Sequence, residues 1–154
     1  MLGPMLTLCL LQAPATRAPA EVAAGEAAYE QLMPAHKQFL EQKLEGKTPQ
    51  QIDRKVMQLS GQLASMHASW KVLVRPSYGR WQVAALVRQA EETAHFADLL
   101  ESIQLPEAKE RQARLAASQR TNARAFFDGA VEKAKDLGII SPELEAVRWQ
   151  FEKR

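Results

Sequence analysis

The sequence predicts an all-α protein, and three observations carry that prediction. Strong helix formers such as Ala, Leu, Glu, Gln, Lys and Arg dominate, whereas glycine is scarce at seven of 154 residues. No stretch alternates apolar and polar residues long enough to indicate a strand. Long segments instead repeat apolar residues at spacings of three and four. With 46% apolar and 25% charged residues, the composition is that of one globular domain.

The first twenty residues differ in composition from the rest. They contain no acidic residue and an apolar run over 5–11, which is far shorter than the roughly 20 residues of a membrane-spanning helix. The run and the Ala-Pro-Ala sequences ending at Ala15 and Ala20 predict a signal peptide over 1–20, followed by a single helical domain over 21–154. The chain is then periplasmic or associated with the envelope.

Two features of this segment leave alternatives open. A signal peptide normally begins with a positively charged region, but no cationic side chain precedes Arg17. Residues 1–20 could therefore instead be a disordered apolar tail of a cytoplasmic protein. Cys9 lies in a sequence similar to a lipidation box, but Leu8 stands where that box has a small residue. Cleavage after Ala20 would leave a mature chain without cysteine, which needs no disulfide.

Two helices are predicted before residue 76. The first covers about 21–45, is ended by Gly46, and has Pro34 inside it, which predicts a kink or a later start. The second opens with a cap at Thr48 and stops before Pro76. Its apolar residues form an unbroken heptad pattern: Ile52, Val56, Leu59, Leu63, Met66, Trp70 and Leu73.

The third predicted helix is capped by Ser77, runs past Ile103 and stops before Pro106. It has two apolar edges, and such a wide apolar arc predicts contact with more than one neighbour. One edge comprises Val83, Leu86, Val87, Ala90, Ala94 and Ala97, and the other Tyr78, Trp81, Ala85, Phe96, Leu99 and Ile103. The remaining polar face is expected to meet solvent; it comprises Arg88, Glu91, Glu92, His95, Asp98 and Ser102.

A fourth helix is predicted over about 107–137, with Gly138 as its stop signal, and a short helix follows Ser141. Four long helices of similar length with short connections favour an up-down antiparallel bundle with a short C-terminal helix added. The heptad patterns would also permit self-association of the chain.

Composition and motifs disfavour several classes of function. A net charge of +2 gives weak attraction to nucleic acid, and no transmembrane span is predicted. The chain lacks a phosphate-binding glycine loop, a nucleophile elbow and a Cys-x-x-Cys pair, so we expect no enzyme. Glu92-x-x-His95 has the spacing of a di-iron ligand pair, and His36 is expected at a similar height. No second pair exists, so the sequence predicts neither metal nor cofactor.

The segment WKVLVRPSYGRW over 70–81 mixes aromatic residues with cations. It could grip an anionic ligand, or it could be the packed corner of a helical hairpin. Because Trp70 follows the heptad pattern and Trp81 lies on an apolar edge, the corner is favoured. Exposed ring edges could still contact a protein partner. The candidate partner residues are Trp70, Arg75, Tyr78, Arg80 and Trp81.

The sequences YGRWQVAALVRQAEETAHFADLLESIQLPEA and ARAFFDGAVEKAKDLGI resemble the terminal helical region of tetratricopeptide-type scaffold proteins of bacterial envelopes. The resemblance covers about 78–139 and includes Ala123, Phe127 and Ala130 at the spacing of a repeat's second helix. The preceding segment lacks the repeat's tryptophan and Leu-Gly positions. The resemblance implies an interaction role in the envelope.

Together these observations predict a non-enzymatic helical adaptor or scaffold of the bacterial cell envelope that acts by contact with protein partners. The alternative is a four-helix bundle that binds a small ligand or a metal.

Overall fold

The computed structural model describes residues 19–152, and within that range every regular element is helical. The chain forms α1 (Pro19–Leu40), α2 (Pro49–Lys71), a 3-10 helix (Pro76–Tyr78), α3 (Arg80–Glu101), α4 (Pro106–Leu137) and α5 (Pro142–Glu152). The predicted all-α bundle of four long helices with a short C-terminal helix is therefore confirmed. The predicted signal peptide lies almost wholly outside the described residues, although α1 already includes Pro19 and Ala20.

The long helices alternate in direction along the bundle. The C-terminal half of α3 shares an apolar cluster with the start of α4, where Phe96 and Leu100 join Ala108. The opposite halves share a second cluster, in which Val83 and Val87 join Ala130. Neighbours in the chain thus run antiparallel, as the short connections between them predict.

Helix α3 is the central helix of the bundle. It contacts α1, α2, α4, α5 and the 3-10 helix. Fourteen of its 22 residues are buried. These contacts confirm the expectation that α3 touches more than one neighbour. They also explain its wide apolar arc, since a helix buried on nearly all sides needs one.

The apolar heptad residues of α2 pack in the core of the molecule. Six of these seven residues are buried, and Met66 is partly buried against the same clusters. The helix begins as predicted: Thr48 caps it by accepting a hydrogen bond from the Gln51 N–H at 3.3 Å. The Gln51 side chain in turn accepts from the Lys47 N–H at 2.9 Å. The first contact satisfies a donor that a helix start leaves unpaired, and the second ties the residue before the cap to the first turn.

Three predicted helix ends are wrong. Helix α1 continues through Pro34 and ends at Leu40, because the following segment turns so that Leu44 packs on the core. Ser77 does not cap α3; it lies in the 3-10 helix, and α3 begins after Gly79. Gly79 has a φ of 58°, a conformation that favours glycine and reverses the chain.

The third wrong end is that of α3, which stops at Glu101 rather than beyond Ile103. Leu105 is extended, as a residue before proline should be, and α4 starts directly at Pro106. The end of α4 agrees with the prediction. Gly138 has a left-handed φ of 62°, and its N–H bonds to carbonyls of the last turn.

Among residues 19–152, no helix is both long enough and apolar enough to cross a membrane.

Candidate functional site: a buried carboxylate and two surface clefts

The aromatic segment over 70–81 forms a packed corner that α1 closes. Trp70 and Trp81 are buried, and the Tyr29 ring of α1 lies 5.6 Å from Trp70 and 5.0 Å from Trp81. Gly25 allows the close approach of α1, since an added Cβ would lie only 2.9 Å from Trp81 Cδ1 and 3.0 Å from Tyr78 Cβ. The two tryptophans are therefore core residues of the bundle.

The other predicted partner residues lie nearer the surface. Arg75 and Arg80 are exposed, and Tyr78 is half-buried. Arg80 lies over the Trp81 ring at 4.7 Å and binds Glu143 of α5 at 2.6 Å. A partner role for this segment stays a prediction, and it can involve mainly Arg75, Tyr78 and Arg80 because little of either tryptophan is accessible.

Below the corner lies a fully buried carboxylate. Glu92 of α3 accepts two hydrogen bonds at Oε1, one from His36 Nδ1 at 2.8 Å and one from Trp70 Nε1 at 2.7 Å. One oxygen atom thus connects α3 to both α1 and α2. The prediction that Glu92 faces solvent is wrong, because α1 packs on that face and covers it.

Further polar side chains extend this network towards the surface. His36 Nε2 lies 3.5 Å from Glu91 Oε2, and Glu91 pairs with Arg88 at 2.5 Å. Arg88 Nε donates to the Tyr29 hydroxyl at 2.7 Å. Burial opposes the charge of Arg88, but the Glu91 carboxylate and Tyr29 outweigh it and raise the pKa of Arg88. For Tyr29 burial has the larger effect and raises the pKa of the hydroxyl, although Arg88 acts in the opposite direction.

The second oxygen of Glu92 is buried and forms no hydrogen bond with any described residue. On this side of the carboxylate, His67 Nε2 of α2 lies 3.9 Å from Glu92 Oε2. His67 Nε2 also lies 3.2 Å from the Thr93 hydroxyl, whose single proton is donated to the Gln89 carbonyl at 2.6 Å. Since Thr93 can then only accept, His67 carries a proton on Nε2. Burial lowers the pKa of His67, so the neutral ring is favoured.

His67 also lines the surface between α2 and α4. Its ring meets Phe126 of α4 in an edge-on contact with ring centres 5.0 Å apart. Two hollows of about 590 and 410 Å³ adjoin this contact, and both are lined by His67 and Phe126. We call them together the α2–α4 cleft.

A separate groove lies between α3, α4 and α5 and measures about 540 Å³. Ala94 and Ala123 contribute small side chains to its lining, and Trp149 and Phe151 contribute aromatic ones. The Trp149 side chain is 61% exposed, which is unusual for so large an apolar residue. We call this the Trp149 groove.

Arginines hold the elements around the Trp149 groove in place. Arg124 of α4 donates to the carbonyl of Phe151 and to Asp128 of the same helix. Arg120 of α4 pairs with Asp98 and Glu101 of α3. Its side chain reaches from the apolar side of α4 to these carboxylates at the surface. These contacts raise the pKa of Arg120. Together the arginine contacts link α3 to α4 and α4 to α5 beside the groove.

The three histidines do not converge. His95 lies beside α1, where its Nε2–H donates to the Gln42 carbonyl at 3.2 Å and its ring meets Phe39. His36 and His67 approach Glu92 from different sides. Within residues 19–152 no group of three or more His, Cys, Asp or Glu side chains is arranged to hold a metal ion.

Sequence reasoning considered Glu92 only as a metal ligand on a face open to solvent, and it missed His67 and Trp149 as site residues. A signal for Glu92 was present, because the apolar edge of α3 has a gap between Ala85 and Phe96 that Glu92 fills at helical spacing. His67 follows the heptad residue Met66 directly, so it flanks the apolar stripe. A signal for Trp149 was present as well, because it lies opposite the apolar side that Leu144, Val147 and Phe151 form at helical spacing.

No protein-family model matches the chain, and comparisons with curated proteins and with solved structures also found no match.

Proposed function

We propose that the protein is a non-enzymatic helical adaptor that acts by contact with a protein partner, and that the Trp149 groove is its principal contact surface. The observation that supports this most directly is the exposure of Trp149 beside a preformed groove. Tryptophan is enriched among the residues that dominate binding energy at protein interfaces. An exposed indole next to a groove with small alanines resembles a contact surface without its partner.

The residues that line the groove favour a helical segment of the partner. Short apolar side chains at Ala94 and Ala123 let another backbone approach closely. Grooves of this kind accept an amphipathic helix that inserts its large apolar residues. The charged residues at the edge, Arg124 and Asp98, provide a polar rim of both signs.

Site-specific photo-crosslinking in the source cells tests this proposal. A photoreactive amino acid replaces Trp149, and the matched control carries it at Met57, an apolar residue of α2 that is 73% exposed. We expect one discrete cross-linked protein from position 149 and none from position 57. Purified partner should then bind the Trp149→Ala variant at least about thirtyfold more weakly, as for a residue that contributes 2 kcal/mol or more. Equal cross-linking at both positions, or unchanged affinity of Trp149→Ala, would contradict the proposal.

We further propose that the protein works in the cell envelope after export. The apolar run over 5–11 and the Ala-Pro-Ala sequences support this proposal, and they favour cleavage after Ala15 or Ala20. Cleavage after Ala15 would leave α1 complete, whereas cleavage after Ala20 would remove its first two residues. Intact-mass measurement of the native protein should give a start at Thr16 or Glu21. A cytosolic protein that retains Met1 would contradict export.

A further inference from the structure

The α2–α4 cleft has a polar lobe and an apolar lobe that meet at His67 and Phe126. Hydrogen-bonding side chains of both helices, Ser60, Gln119 and Asn122, line the larger lobe. The smaller lobe is lined by the apolar side chains of Ala68, Val74, Leu86 and Phe126, with Lys71 and Gln89 beside them. A site divided in this way suits a ligand with a polar head and an apolar body.

The charges of the cleft select the sign of the head group. Neither lobe is lined by an acidic residue, whereas Lys71 contributes a cation and the Gln119 and Asn122 amides can donate hydrogen bonds. Glu92 lies 3.9 Å from His67 but is wholly buried and does not line either lobe. An anionic head therefore finds donors and no like charge at the surface of the site.

His67 supplies the group that such an anion would engage. Its Nε2–H is directed to Thr93 and Glu92, so Nδ1 is the ring nitrogen left for a ligand. The His67 side chain is 22% exposed and lines both lobes, so part of the ring is open to the cleft. A carboxylate at Nδ1 would require a proton there, and the resulting imidazolium would lie between the ligand and the unpaired oxygen of Glu92.

From this arrangement we infer that the α2–α4 cleft binds a small amphipathic carboxylate. The head lies among His67, Gln119 and Asn122, and the apolar body crosses Phe126 into the smaller lobe. Binding is accompanied by uptake of one proton on His67 Nδ1.

The groups around His67 fix the direction of the pH dependence. Glu92 of α3 faces the ring at 3.9 Å and favours its protonation, whereas Lys71 of its own helix opposes it. Helix α4 presents no charged side chain among the residues that line the cleft, and His36 of α1 contacts the other oxygen of Glu92. In the free protein, burial keeps His67 neutral near pH 7. Affinity for the carboxylate should therefore rise as the pH falls.

Calorimetry with octanoate tests the inference on the full chain. We expect one saturable site, proton uptake detected by titrating in buffers of different ionisation enthalpy, and an affinity that increases by up to about tenfold per pH unit below pH 6.5. Octylamine and 1-octanol have the same apolar body without the anionic head, and both should bind at least about tenfold more weakly at pH 5.5.

Two variants separate the site from general hydrophobic binding. His67→Gln should abolish the proton uptake and the pH dependence, and Phe126→Ala should weaken octanoate binding. His95→Gln is the matched control, because His95 lies beside α1 and outside the cleft. Circular dichroism verifies that each variant is folded. Absence of saturable octanoate binding at pH 5.5, equal binding of octylamine, or an unchanged pH profile in His67→Gln would overturn the inference.

Discussion

Trp70 combines an apolar and a polar role in one side chain. Its rings pack in the corner with Leu73 and Trp81, while its Nε1–H donates to the buried carboxylate of Glu92. An unpaired N–H in the core is costly, and Glu92 supplies the acceptor for Trp70, whereas the buried Nε1 of Trp81 has none among the described residues. Trp70 therefore stabilises the bundle in two ways: its rings pack in the core, and its N–H forms a hydrogen bond with the buried Glu92 carboxylate.

We expect Trp70→Ala to lower the free energy of unfolding by roughly 3–5 kcal/mol, since it creates a large cavity in the core. Trp149→Ala removes the same side chain from the surface and should change the free energy by less than about 1 kcal/mol. Urea unfolding followed by circular dichroism measures both. If Trp70→Ala unfolds at the same urea concentration as the parent protein, Trp70 is not part of the core.

Glu92 is the residue on which α1, α2 and α3 converge. Replacement by alanine leaves the donors of His36 and Trp70 buried without an acceptor, which should cost about 3–5 kcal/mol. Glu92→Gln retains one oxygen for these bonds but places an NH₂ group opposite His67 Nε2–H, so a smaller loss of about 1–3 kcal/mol is expected.

Thermal unfolding of both Glu92 variants tests this order. Glu110→Ala provides the control because Glu110 is exposed on α4, and its effect should stay within about 0.5 kcal/mol. Equal stability of Glu92→Ala and the parent would show that the carboxylate contributes nothing to holding the three helices together.

Among the helices, α1 docks through a narrow contact that depends on a glycine. An added Cβ at Gly25 would lie 2.9 Å from Trp81 Cδ1, closer than ordinary packing allows. Gly61 is also inside a helix, but an added Cβ there would meet no atom within 4 Å. The two glycines therefore separate the effect of packing from that of helix propensity.

Alanine at these two positions should change stability in opposite directions. Gly61→Ala should stabilise the protein by about 0.5–1 kcal/mol, because alanine loses less conformational freedom in a helix. Gly25→Ala has the same gain but must displace α1 from the corner, so a net loss of about 1–3 kcal/mol is expected. Chemical denaturation of the two variants gives the comparison. A stabilised Gly25→Ala variant would show that α1 does not pack closely at this point.

The elements were largely predictable from the sequence because their signals are local. Thr48, Gly138 and the heptad pattern of α2 act within a few residues of where they stand. The role of Glu92 was not predictable, since its burial depends on α1, a distant part of the chain. His36 of α1, which contacts Glu92, lies 56 residues earlier in the sequence. The ends of α1 and α3 were missed for a similar reason, because tertiary packing and the reversal at Gly79 override the local pattern.

At the scale of the whole molecule, two buried or half-buried groups make folding depend on pH. Burial lowers the pKa of His67 below its ordinary value of 6.5. Burial would raise the pKa of Glu143, but hydrogen bonds from its own backbone and from Ser141, together with Arg80, outweigh it and lower the pKa below 4.5. Each group binds a proton less readily in the folded chain than in the unfolded one.

The last prediction is therefore that stability decreases in two stages as the pH falls. Between pH 7.5 and 5.5 the unfolded chain takes up a proton at His67 that the folded chain resists, so the free energy of unfolding declines. Below about pH 4.5 the unfolded chain also protonates Glu143, which the folded chain keeps ionised, and stability declines further. Urea unfolding across this range measures the profile. In His67→Gln the first stage should become shallower while the second persists. If the profile of His67→Gln parallels that of the parent above pH 5.5, the buried imidazole is not the source of the first stage.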